Sequence, residues 1–178
     1  VASQIIEKMA SVMKDGELPT LSHFTQPARK LRSYLAAMEE IFLVRRIAPH
    51  EAAVGKEYWL FCDSGLAAHV MGAEMGEGVT LSLMRHFLWN EWHAHGEAAG
   101  KKWKRVYYKS ARGTPLDAVV DGCPVRIVGS EADVTKYLAI EERAVVGAMK
   151  SLGAKYGYLI APVETPVPPP AKGGIGIL

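Results

Sequence analysis

The chain has 178 residues, 49% of them apolar and 22% charged, which supplies one good-sized domain or two small ones and excludes a largely disordered protein. Its formal net charge of +2 is too small to argue for nucleic acid by itself, so any such role must rest on where the basic residues cluster. No apolar run reaches the roughly 18–20 residues that cross a bilayer. The opening VASQIIEKMASVMKDG mixes acids and bases, so it is not read as a signal peptide, and a cytoplasmic location is the expectation. The missing initiator Met suggests a fragment or a processed chain. Cys62 and Cys123 each fall in an apolar, strand-like run and read as small core residues in a reducing compartment.

In chain order, Ile5, Ile6, Met9, Val12 and Met13 have helical spacing over 3–14, and Asp15-Gly16 ends that helix. Thr20 suits the cap of a short helix over 21–24, and Pro27 the first turn of a third. That third helix is expected to turn Ala28, Leu31, Leu35, Met38 and Phe42 inward, leaving Arg29, Lys30, Arg32 and Ser33 outside. Two strand-like runs follow, 42–47 and 57–63, joined by APHEAAVGK. Helix, short helix, longer helix and hairpin is the order of a winged helix-turn-helix.

Asp63-Ser64 opens a short helix that Gly72 stops, and GAEMGEG (72–78) reads as the boundary between two subdomains. Beyond it a helix is expected over 80–95, then strands over 105–110, 115–121 and 124–128. A long helix over 134–152 is expected to turn Leu138, Val145, Met149 and Leu152 inward, before a last strand at 156–162. The tail PVETPVPPPAKGGIGIL is too rich in Pro and Gly to read as a packed element as it stands. The fold expected is α/β, or α+β overall: a winged helix in 1–72, an α/β unit in 79–163, and a tail in 164–178.

Three groups of residues invite a chemical reading. Arg29, Lys30 and Arg32, with Arg45, Arg46, His50 and Lys56 around the hairpin, would neutralise phosphates if the third helix enters a major groove. The alternative is a solvated face, because many winged helices dock proteins. His86, His93 and His95 lack any familiar zinc spacing and read as surface or capping residues. Neither GAEMGEG nor KGGIGI is followed by the Lys-Ser/Thr of a phosphate-binding loop, and no serine or cysteine has a histidine at a motif-defined spacing. No cofactor and no bound metal are expected. The third group is the hairpin TPLDAVVDGCPVRIV, where Asp117 and Arg126 interrupt apolar strands. A divalent-metal nuclease holds Mg²⁺ with hard oxygen ligands and keeps a lysine beside the reacting water.

Several stretches resemble a known family. They are KLRSYLAAMEEIFLVRRIAP, KEYWLFCDSGLAAHVMG with Asp63, Gly65, Leu66 and Ala67, SLMRHFLWNEW, and VYYKSARGTPLDAVVDGCPVRIV. The family is the uncharacterised domain C-terminal to the ATPase module in a large group of prokaryotic AAA-type ATPases, and the resemblance covers about 9–160. It implies a winged helix joined to a restriction-endonuclease-like fold, and an ATPase domain in the parent chain. It also places the family's metal-site Glu, Asp, Glu and Lys at Arg85, Asp117, Arg126 and Val128, so only Asp117 survives of the four. A guanidinium only donates hydrogen bonds and cannot ligate a cation, and valine cannot replace an ammonium. Glu91 and Asp121 remain as carboxylates, but the matching positions would not put both at the metal.

The resemblance therefore implies a non-catalytic module that targets or regulates an ATPase through duplex DNA or a protein partner, with no membrane contact. An active Mg²⁺-dependent nuclease and a pure protein-interaction module are the alternatives. Arg85 and Arg126 are expected to pair with Asp117 at the former metal position; the other placement puts Arg126 on the wet face of an edge strand.

Overall fold

Helix α1 (Ala2–Lys14) turns Ile5, Met9, Val12 and Met13 into a core at the spacing the sequence carries. In this computed structural model the described residues are 1–50, 57–72, 77–100, 105–109, 115–128, 131–161 and 173–178. They form a mixed α/β protein of five α-helices and two sheets. By packing the chain divides into two units, Val1–Ala48 with Lys56–Lys101, and Pro49–Gly55 with Lys102–Leu178.

In the first unit, Thr20 opens a short 3-10 turn (Leu21–His23), its backbone N–H donating to His23 Nδ1 at 3.1 Å. Thr20 also forms an isolated antiparallel bridge with Tyr58. Helix α2 (Ala28–Glu40) follows Pro27 and buries Leu31, Leu35 and Met38. Strands β1 (Val44–Ile47) and β2 (Tyr58–Phe61) pair antiparallel, Val44 against Phe61 and Ile47 against Tyr58. Asp63 then caps α3 (Ser64–Met71), its carboxylate accepting from Leu66 N, and Gly72 ends that helix in the left-handed conformation. One apolar cluster joins Ile5, Met9 and Met13 to Leu31, Leu35, Met38, Val44, Trp59, Phe61, Ala67 and Met71. Helix α4 (Glu77–Ala98) belongs to this unit and packs on α1 and α3, whereas the sequence pattern suggested that it opens the second.

Two inward assignments on α2 are corrected. Ala28 is exposed, and Phe42, expected on the inner face, is 80% exposed with φ +57. The helix ends two residues earlier, and Phe42 sits where the chain reverses. Leu43 N–H donates to Met38 C=O at 2.9 Å and Phe42 N–H to Glu39 C=O at 3.0 Å. That Schellman pattern requires a left-handed residue at the position Phe42 occupies, and so its side chain swings outward.

In the second unit, β3 (Arg105–Lys109), β4 (Pro115–Val120) and β5 (Cys123–Ile127) are antiparallel neighbours. Asp121 and Gly122 join β4 to β5 with φ values of 51° and 81°. Positive φ at both central residues is the two-residue hairpin turn that Asp-Gly favours. Helix α5 (Glu131–Leu152) then crosses over to β6 (Tyr156–Ile160), which pairs parallel with β5. Val145 and Ala148 of α5 pack with Val119, Val128, Leu159 and Ala161 in the core of this unit. A Cβ on Gly157 would come 2.5 Å from Val145 Cγ1, so only glycine lets α5 approach β6 this closely.

The tail is corrected as well. Gly174–Ile177 forms β7, parallel to β6, giving the sheet order β3-β4-β5-β6-β7. Ile175 and Ile177 pack on the same core, and Leu178 N–H donates to Leu159 C=O at 2.8 Å. Local composition argued against a strand there; the ready hydrogen-bonding edge of β6 overrides it. Cys62 and Cys123 are only partly buried, not core residues, and both are free thiols. The segment 51–56 and the side chain of Leu138 lie outside the described residues.

Because a left-handed aromatic residue costs roughly 1 kcal/mol that glycine does not incur, Phe42→Gly is expected to raise the urea midpoint of unfolding with no change in slope.

Candidate functional site

Asp117 is buried in β4, beside Arg126 of β5. Ala118 pairs with Val125, the last pair of that ladder, and the next residues out, Asp117 and Arg126, meet through their side chains. β5 is the middle strand of five, which overturns the placement of Arg126 on an edge. The side chains share a face with Leu159, which pairs with Arg126 from β6. That face lies under α5, whose Val145, Ala148, Met149 and Leu152 pack on the sheet core. One turn before Val145 the same stripe carries Glu141.

Three charges meet there. Arg126 Nε donates to Glu141 Oε2 at 2.6 Å, Nη2 to Glu141 Oε1 at 3.3 Å, and Nη1 to Asp117 Oδ2 at 3.3 Å. Asp117 Oδ2 also accepts from the backbone N–H of Ile127 at 2.7 Å. The side chains of Arg126, Asp117 and Glu141 are 18%, 7% and 19% exposed, so the guanidinium is held in a largely dry place between two carboxylates. Burial alone would lower its pKa, but the hydrogen bonds to Glu141 and the negative charges of Asp117 and Glu141 outweigh that and hold it above the ordinary arginine value. Val128 stands in the apolar core, its N–H donating to Ile160 C=O at 2.8 Å. Among the described residues no three His, Cys, Asp or Glu side chains gather where they could hold a metal ion.

Arg85, expected beside Asp117, is on α4 in the first unit, where its Nη1 donates to Gly16 C=O at 3.3 Å. Glu91 is exposed on α4, and Asp121 is exposed in the hairpin turn. Sequence reasoning missed Glu141. Its signal was available, since it continues the inward stripe of α5 at helical spacing where an apolar residue is the rule.

The basic residues of the first unit divide by the geometry of helix and strand. Arg29, Lys30 and Arg32 are exposed on the first turns of α2. Arg46 is exposed on β1 and shares Glu57 with Arg32, at 3.3 Å and 3.8 Å. The Arg46 backbone N–H donates to Glu39 Oε1 at 3.1 Å. Successive strand residues point to opposite faces, and Arg45 turns the other way, its Nη1 donating to Asn90 Oδ1 on α4 at 3.0 Å. Lys56 lies outside the described residues, and His50 is partly buried.

The histidine reading is corrected at one position. His93 pairs with Glu97 one turn on, at 2.9 Å, and His95 is exposed, but His86 is wholly buried beside Phe61. Burial, and secondarily the Arg45 charge, push its pKa down from 6.5 to about 4, while Asp63 acts in the opposite direction. The imidazole is therefore neutral at pH 7.

No family model, no curated protein and no solved structure matches this chain.

Removing one partner of a buried charge group strands the others, so Arg126→Met is expected to cost about 3–5 kcal/mol in urea unfolding. Adding Glu141→Gln to that variant should restore part of the loss. The His86 shift predicts a second effect. As pH falls from 6.5 the unfolded chain takes up a proton that the folded imidazole refuses until about pH 4. Stability present above that window is lost across it, by roughly 3 kcal/mol in all. Urea titrations between pH 7 and 4 measure this slope, and His86→Gln should flatten it.

Proposed function

We propose that this chain is a non-catalytic module of an AAA-type ATPase: a winged helix that contacts duplex DNA, followed by a nuclease-like α/β unit that has lost its metal chemistry. The observation that carries the reading is the Arg126 guanidinium seated between Asp117 and Glu141. A divalent cation needs that space and those oxygens, and a fixed positive charge in a largely buried setting opposes its entry by several kcal/mol. No ammonium stands at Val128 to steady a developing charge.

For the first unit, the order α1, 3-10 turn, α2, β1, β2 supports the winged-helix reading, as does the bridge from Thr20 to Tyr58, which adds a short third strand position. Arg29, Lys30 and Arg32 at the head of α2 are where a recognition helix meets a groove. One observation favours a protein partner instead: Glu57 sits between Arg32 and Arg46 and offsets part of their charge. For the second unit, three antiparallel strands, a crossover helix and a parallel strand agree with the resemblance. The family resemblance itself adds the expectation of a phosphate-binding loop in the parent chain.

Fluorescence anisotropy with a labelled duplex tests the reading at low and moderate salt. Binding is expected to weaken steeply with salt, and Arg29→Glu with Arg32→Glu should reduce it at least about tenfold while flattening the salt slope by about two. Supercoiled plasmid incubated with Mg²⁺ or Mn²⁺ should stay intact. Cleavage that requires the added Mg²⁺ or Mn²⁺ and is lost in EDTA would sink the non-catalytic reading, and salt-independent or absent duplex binding would leave the protein-docking one.

A further inference from the structure

Asn90 on α4 is held from three directions, and the chemistry of those contacts dictates where every proton lies. Arg45 Nη1 donates to its Oδ1 at 3.0 Å, its Nδ2 donates to Phe61 C=O at 3.3 Å, and the same Nδ2 lies 3.3 Å from His86 Nδ1. A guanidinium only donates, so the amide oxygen must face Arg45 and the amide NH₂ must face His86. An NH₂ offers no acceptor, so Nδ1 is the bare nitrogen and the one proton of the neutral ring is on Nε2. Nε2 is buried with no hydrogen-bond partner among the described residues.

We propose that Arg45, Asn90 and His86 form a latch between β1 and α4, opened jointly by a proton on His86 and an oxyanion on Arg45. Protonation at Nδ1 sets an N–H against the amide NH₂. Asn90 relieves this only by turning its amide over, so that Oδ1 accepts from His86 and NH₂ faces Arg45. Two donors then oppose each other, the bond to Phe61 C=O is given up, and Arg45 leaves. The reverse path is equivalent. A phosphate oxygen that draws Arg45 away frees Oδ1 to turn towards His86 and removes a positive charge from its surroundings. Each event favours the other by the same factor, as linkage requires.

The charged groups acting on the ring are Arg45 from β1 and Asp63 at the head of α3. Cys62, just after β2, lies near enough to Arg45 to feel its charge. From β2 itself the ring meets Phe61, at 6.3 Å between centroids. With Arg45 in place, burial and the guanidinium keep the imidazole neutral; with Arg45 gone, only burial opposes the proton, and Asp63 favours it. The anion side of the latch deepens the phosphate-contact reading of β1, whereas the tautomer and the response to Arg45 stand without it.

The test is a ¹⁵N NMR titration of the histidine rings from pH 7 to 4, in chloride and in inorganic phosphate at matched ionic strength. In chloride, His86 is expected as the Nε2–H tautomer, protonating well below the other histidines. In Arg45→Met its midpoint should rise by about one pH unit, a tenfold gain in proton affinity, as expected when a nearby like charge is removed. Phosphate should raise the midpoint in the native chain, leave Arg45→Met unmoved, and move Asn90→Ala less than the native chain. An Nδ1–H tautomer, or titration of His86 together with the exposed rings, overturns the latch on the unmodified protein, whatever the variants do. A phosphate-insensitive midpoint overturns the coupling. If all of these hold and duplex DNA still does not bind, the latch stands and the DNA reading falls.

Discussion

A carboxylate buried under a helix must meet a positive group or give up its charge, and in the second unit Arg126 is that group for two carboxylates at once. It links the hairpin, through Asp117, to the crossover helix, through Glu141, while the Ile127 N–H donates to the same Asp117 oxygen that faces Arg126. Hydrophobic packing of Val145 and Ala148 on the sheet is non-directional and tolerates sliding; the contact of Arg126 with Glu141, one turn before Val145, does not. The same contact leaves the Asp117 and Glu141 carboxylates hydrogen-bonded to one fixed guanidinium.

The first unit handles its interior polarity differently. His86 has no charged partner in contact among the described residues and stays neutral at pH 7, and Asn90 links it to Arg45 and to the Phe61 carbonyl. An amide suits this place because it presents an acceptor on one side and donors on the other. The arrangement also divides the basic residues of β1. Arg46 faces solvent with the cations of α2, and Arg45 is drawn to α4. Two adjacent arginines in the sequence thus face different neighbours, Arg46 the cations of α2 and Glu57, Arg45 the amide of Asn90.

Much of the fold was legible because it rests on local rules. Helical spacing at Ile5, Met9 and Met13, the Asp63 cap, the Gly72 stop and the Asp121-Gly122 turn need no knowledge of distant residues. The illegible parts are those where a remote neighbour decides. Phe42 reads as core until the helix end demands a left-handed residue at its position. KGGIGIL reads as tail until β6 offers its edge. His86 reads as a surface histidine until Phe61 and Asn90 enclose it.

By itself the sequence determined the order of the elements as far as β6, the mixed α/β class, and two charges set into the apolar strands of the Asp117 hairpin. These follow from side-chain type and short-range periodicity, which act within a few residues. Only the tertiary structure decided which carboxylates Arg126 would neutralise, which way Arg45 would turn, and that the last residues would complete the sheet. Each of those depends on groups far apart in sequence being brought within hydrogen-bonding distance. Directional interactions of that kind form only after the packing has chosen the neighbours.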